Sequence, residues 1–123
     1  MLYTGVDLIE LGRIADSLET FGQRFTRRVY TAGELAYAQG RVPELAARFA
    51  AKEAAAKALG TGMWRQGILW TDVEIVSEAS GRPSLRLHGE ALALAQRLNW
   101  NEVSLSLTHS RAHAIAFVVA RAG

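Results

Sequence analysis

Ala47-Arg48-Phe49-Ala50-Ala51-Lys52-Glu53-Ala54-Ala55-Ala56-Lys57-Ala58-Leu59-Gly60-Thr61-Gly62 is the stretch on which the fold turns. From Ala47 to Leu59 it is written in the strongest helix formers, Ala, Leu, Glu, Lys and Arg. Pro43 stands where a first-turn proline belongs and Gly60 supplies a C-terminal stop, so a helix is predicted from Pro43 to Leu59. At about 100° per residue, Glu53 and Lys57 lie one turn apart on one face, with Phe49 and Gly60 beside them, while Arg48 and Lys52 swing away from it. The alanines keep the helix thin, so other backbone or a bulky ligand can come close.

The two lysines are informative. Of fourteen basic residues twelve are arginine, and Lys52 and Lys57 both fall in this helix. Lysine is a compact point charge that suits a phosphate in a confined site. The plainer reading is an i,i+4 Glu53–Lys57 pair on a solvated face, worth roughly 0.2–0.5 kcal/mol, with Arg48 and Lys52 simply in water.

Working outward, Leu2 to Leu11 reads as a buried strand ended by Gly12, with Asp7 as the anomaly inside it. A carboxylate there needs a cation or strong donors, or it neutralises. Strand alternation puts Glu10 on the opposite face. Gly12 to Thr20 is a short amphipathic helix with Ile14, Leu18 and Phe21 as its apolar stripe. Phe25 to Tyr30 adds a helical turn, and Phe21, Phe25 and Tyr30 are assigned to the core. Thr31 N-caps a further helix running to about Gln39, with Glu34 at the capping-box position. After the central helix, a loop runs from Gly60 to about Leu69. Thr71 to Ser77 and Ser84 to His88 form a hairpin around Ser80-Gly81-Arg82-Pro83. Gly89 to Leu98 is helical, and Glu102 to His109 and His113 to Ala120 form a second hairpin. Strands joined by short turns pair antiparallel, so the class is α+β: a small single domain with antiparallel strands packed on a long central helix.

A chain of 123 residues suffices for one domain with one core. The absence of cysteine excludes a disulfide framework and a thiolate metal site. Met1 to Asp7 has no basic leader region and no apolar run is long enough to span a bilayer, so a cytoplasmic protein with no membrane partner is expected. Arg13, Arg24, Arg27 and Arg28 cluster early, offset by Asp16 and Glu19, as a patch able to meet an acidic protein, a nucleic acid or nothing. Aromatic interleaving of the kind that stacks bases is sparse there, which argues against nucleic acid.

Three candidates for chemistry stand out: Asp7 in a strand, Glu53 with Lys57 on the helix, and His109 at a strand end, a lone histidine whose plainer reading is structural and which earns interest only through its neighbours. Two carboxylates can hold Mg²⁺, which commonly takes one or two protein carboxylates and completes its shell with water and phosphate oxygens. A lysine one turn from the Glu then neutralises a phosphate, as phosphoryl chemistry requires. No Walker sequence, GxGxxG or HExxH occurs, and His88, His109 and His113 are too scattered for a zinc set.

Three motifs resemble those of the holo-[acyl-carrier-protein] synthases, the short type of 4′-phosphopantetheinyl transferase. They are Gly5-Val6-Asp7-Leu8-Ile9-Glu10-Leu11 followed by Arg13-Ile14, then Arg48 to Gly62, then Ser104-Leu105-Ser106-Leu107-Thr108-His109-Ser110. Arg24-Phe25, Thr31 with Glu34-Leu35, and Gly81-Arg82-Pro83 add support, and the resemblance spans essentially the whole chain in order. It implies a single phosphopantetheinyl transferase domain over residues 1–123. The implied reaction moves 4′-phosphopantetheine from coenzyme A to a serine of acyl carrier protein, supporting fatty acid biosynthesis and releasing adenosine 3′,5′-bisphosphate. It implies Asp7 and Glu53 as Mg²⁺ ligands and Lys57 as a contact to the coenzyme A phosphates. Arg48, Gly60, Pro83 and His109 are expected at the coenzyme, with Arg48 on the 3′-phosphate of a coenzyme bound mainly by a neighbouring subunit. Arg13, Arg24, Arg27 and Arg28 are expected to dock the acidic carrier protein. The resemblance also implies a homotrimer. The alternatives are a transferase for a secondary-metabolism carrier protein and a non-catalytic basic binding module.

Overall fold

The computed structural model describes residues 1–62 and 67–123. The chain runs through β1 (Leu2–Glu10), α1 (Leu11–Phe21), α2 (Gln23–Val29), α3 (Ala32–Ala38) and α4 (Val42–Leu59). A single 3₁₀ turn (Trp70–Asp72) leads into β2 (Val73–Ser77), and β3 (Pro83–Leu87), α5 (Gly89–Arg97), β4 (Trp100–His109) and β5 (His113–Ala122) complete the order. Part of the loop expected from Gly60 to Leu69 lies outside the described residues.

All strand pairing is antiparallel. One sheet has the order β1-β5-β4, so the first and last strands of the chain lie side by side, and β2 and β3 form a separate ribbon. The helix α4 lies across the inner face of the three-stranded sheet. Ala114, Ala116, Val118 and Ala120 of β5 are buried against it, as are Gly5 and Ile9 of β1. Small residues meet small residues here, and the approach is close enough to demand glycine. A Cβ on Gly5 would overlap the Ala54 carbonyl oxygen and sit 2.9 Å from the Ala58 amide nitrogen. The helix therefore has no free apolar stripe of the usual amphipathic kind. It is buried nearly all round, leaving Glu53 and Lys57 as its principal openings to solvent in the second half.

Three sequence readings are corrected by this packing. The strand β1 is not buried on both faces: Leu2, Val6 and Leu8 are exposed and only the Gly5–Ile9 side meets α4. An apolar outer face imitates a buried strand in the sequence. Phe21 is not core but exposed, because α1 ends at the Gly22 turn and its last residue extends past the packed stripe of Ile14 and Leu18.

Lys52 and Arg48, which the plainer reading leaves in water, are both buried, at 0% and 3% exposure. Lys52 Nζ is 2.8 Å from Glu34 Oε1 and donates to the carbonyls of Trp70 and Val73 at 3.1 and 2.5 Å. Glu34 in turn accepts from the amides of Thr31 and Ile75 at 2.8 Å each. The Thr31–Glu34 capping box is present, so one carboxylate caps α3, receives β2 and neutralises Lys52. Burial pushes the Lys52 ammonium toward its neutral form and the Glu34 carboxylate opposes that. All the charges in this cluster have partners, as a buried pair requires.

Candidate active site

Two groups of polar side chains open along α4. The first lies at the seam between β1 and the C-terminal half of the helix. Asp7 shares the inward parity of Gly5 and Ile9, so it faces α4. Lys57 Nζ sits 2.9 Å from Asp7 Oδ1 and donates to the Val6 carbonyl at 3.0 Å. The expected i,i+4 Glu53–Lys57 pair is thus replaced by a pair across the seam. Glu53 is left partly buried beside Asp7. Its carboxyl is held above the usual carboxylate range by burial first and by the negative charge of Asp7 second, while Lys57 and Arg13 pull it back. Two hard carboxylates on facing elements, one of them pushed up by the charge of the other, are a donor set suited to Mg²⁺, which would offset that charge. Arg13, on α1, thereby belongs to the electrostatics of this cluster and not only to a surface patch.

The second group surrounds a cavity of about 400 Å³ at the N-terminal half of α4. It brings together Arg48, Pro83 and His109, which are far apart in sequence, and adds Tyr37, Glu44 and Arg82. Arg48 is fixed rather than free. Its Nη2 donates to Ser77 Oγ at 2.7 Å and its guanidinium lies 4.3 Å from the centroid of the Tyr37 ring. Its Nε is buried without a hydrogen-bond partner among the described residues. Sequence reasoning missed Tyr37, Glu44 and Ser77. Only Glu44 left a signal, its i,i+4 spacing to Arg48.

Gly60 does not line this cavity. It caps α4 in the left-handed region at φ 86°, and its amide is bonded to the carbonyls of Ala56 and Lys57. Arg24 and Arg28 flank a smaller groove of about 260 Å³ with Phe21 and Phe25, and Arg27 is exposed on the same helix.

The 4′-phosphopantetheinyl transferase superfamily matches residues 3–118. The chain is 47% identical to the holo-[acyl-carrier-protein] synthase of Koribacter versatilis over 122 residues, covering 97% of each. It is 48% identical to that of Herpetosiphon aurantiacus over 124 residues, covering 97% of this chain and 98% of the relative. The crystal structure of the holo-[acyl-carrier-protein] synthase from Neisseria meningitidis superposes with a TM-score of 0.85 at 38% identity, covering 97% of both chains. The Helicobacter pylori enzyme in complex with coenzyme A gives a TM-score of 0.87 at 27% identity, covering 96% of this chain and 99% of that one.

Proposed function

This chain belongs to the holo-[acyl-carrier-protein] synthases of the 4′-phosphopantetheinyl transferase superfamily, and on that premise we propose Mg²⁺-dependent transfer of 4′-phosphopantetheine from coenzyme A to a serine of apo-acyl carrier protein, releasing adenosine 3′,5′-bisphosphate. The observation that carries the residue assignment is the β1–α4 seam: Asp7 and Lys57 in contact at 2.9 Å with a proton-hungry Glu53 beside them.

In the reaction the serine oxygen bonds to the phosphorus that carries pantetheine, and the phosphoanhydride bond to the nucleotide's phosphate breaks. Asp7 and Glu53 would hold Mg²⁺. When bound, the metal offsets negative charge on the phosphoanhydride. Lys57 neutralises a phosphate oxygen as the bond breaks, which its exposed ammonium can do by turning from Asp7. Glu53 takes the serine proton. Arg48 and His109, with Pro83 at the wall, take the nucleotide end of the coenzyme. Arg48 and Lys57 are nine positions apart, about 13 Å along the helix axis, so α4 presents two separate anion sites.

The carrier protein docks on Arg13, Arg24, Arg27 and Arg28. Arg13 joins that surface to the chemistry, because its charge already reaches Glu53. The homotrimer has support from the outer face of the sheet. Val6 pairs in register with Phe117 and Leu8 with Ile115, and all four are exposed, which makes a continuous apolar patch in need of a cover.

Intact-mass analysis of apo-acyl carrier protein after incubation with coenzyme A, Mg²⁺ and this protein should show the added phosphopantetheine. No added mass with any carrier protein would sink the enzymatic reading. Light scattering at working concentration should return three times the 13.4 kDa chain mass, and a monomer would remove the trimer.

A further inference from the structure

Glu44 stands in the cavity that Arg48 and His109 line. Its Oε2 is 3.4 Å from Arg48 Nη1 and its Oε1 is 3.9 Å from His109 Nε2. A carboxylate is the wrong sign of charge for a cavity that receives a phosphate. Yet its two oxygens span the same two groups that an incoming phosphate would use. The two partners differ in freedom. Arg48 is locked by Ser77 and Tyr37 and is almost wholly buried. The Glu44 side chain is 24% exposed, so it can swing out while Arg48 cannot.

We propose that Glu44 is an internal counter-anion: it fills the seat between Arg48 and His109 in the free protein and must surrender it to the 3′-phosphate of coenzyme A. The inference rests on reading this cavity as the seat of the coenzyme's nucleotide end. Its consequence is selective. Glu44 weakens binding of every ligand that carries the 3′-phosphate, including the bisphosphate product, and leaves ligands without that group nearly untouched. A site that must let go of its product after each turnover gains from such an offset. The competing explanation is that Glu44 is simply an acid in the first turn of α4, where the helix dipole favours one. A structural role of that kind moves stability but not ligand selectivity.

The test compares coenzyme A with 3′-dephospho-coenzyme A by calorimetric titration of the whole protein at fixed salt. Glu44→Gln should tighten coenzyme A by about fivefold and change dephospho-coenzyme A by less than about twofold, the scale expected for one partly screened charge. Glu44→Asp keeps the first-turn charge but draws the carboxylate back from His109. It should give a smaller tightening, and it serves if the Gln variant folds poorly. Unchanged or weaker binding of coenzyme A in both variants, or equal tightening of both ligands, overturns the inference. Arg48→Gln separates this from failure of the underlying reading. If it weakens coenzyme A selectively, the cavity still takes the 3′-phosphate and only the role of Glu44 falls. If it weakens both ligands equally, the reading of the cavity falls and the inference with it.

Discussion

Lys52 and Lys57 stand five positions apart in one helix and occupy opposite environments. Lys52 has no exposure, and three oxygens hold its ammonium: one carboxylate and two carbonyls. Lys57 is half exposed and holds Asp7 from a position open to solvent. Composition alone treats them as a matched pair of phosphate contacts. The difference lies in what each helix face meets. The Lys52 face is covered by α3, the 3₁₀ turn and β2, so its charge serves to join three segments. The Lys57 face meets the edge strand β1 and leaves the ammonium half exposed, so its charge stays available to a ligand.

The strongest way to break this comparison is to remove each lysine in turn. Lys52→Met should cost about 3–5 kcal/mol of stability, because it leaves the Glu34 carboxylate buried and uncompensated. Replacing Glu34 by Leu in the same chain should recover part of that loss, since an apolar pair of similar volume removes the stranded charge. Lys57→Met should cost no more than about 1 kcal/mol, the range for a partly exposed ion pair. Urea unfolding of the four proteins measures all of this. Similar losses at the two positions would mean that the buried pair does not anchor α3, the 3₁₀ turn and β2 to α4.

The same contrast shows what could be read in advance. The helix α4, the Thr31–Glu34 capping box and both hairpins were legible because their signals are local: helix formers, a cap three residues from its partner, turn residues between alternating runs. Asp7, Glu53 and Lys57 were legible as a cluster because an acid in an apolar strand and a Glu–Lys turn each ask for a partner. The burial of Lys52 was not legible. It depends on Glu34, eighteen positions upstream, and on the carbonyls of Trp70 and Val73, eighteen and twenty-one downstream. Val6, Leu8 and Phe21 misled for a different reason. They are apolar and exposed, and hydrophobic pattern cannot distinguish a face packed on its own core from one left open. Glu44 carries no signal in the sequence beyond its spacing to Arg48, because an acid in a first helical turn needs no special explanation.

Activity should sort the two lysines the other way. Lys57→Ala should lower kcat/KM a hundredfold or more, about 2.7–4 kcal/mol of transition-state stabilisation. Lys57→Arg should also be damaged, because a planar guanidinium cannot replace a compact ammonium against Asp7 and the Val6 carbonyl. Lys52→Met, assayed well below its own melting temperature, should keep most of its activity. Near-normal turnover in Lys57→Ala would show that the open lysine has no part in the chemistry.

The smallest effect, and the sharpest, concerns Glu53. Its proton is held more tightly in the native state than in the unfolded chain, first by burial and then by Asp7. Linkage fixes the sign: native stability from this group is fully present below the ordinary carboxylate pKa and is lost as pH rises through the raised value. Glu53→Gln removes the ionisation. The variant should therefore melt higher than the parent near pH 7, and the gap should close as pH falls to about 4. Mg²⁺ should act on the parent in the opposite sense to its ionisation cost. A cation that binds the native carboxylate pair raises the melting temperature by mass action, and chelation should remove the gain. Glu53→Gln, with one neutral ligand, should respond much less to the metal. A melting difference that stays constant across this pH range would mean that Glu53 ionises as a solvated acid does. The repulsion between Asp7 and Glu53 would then be too weak to recruit a cation, and the lysine beside them would be left as an ordinary surface partner of Asp7.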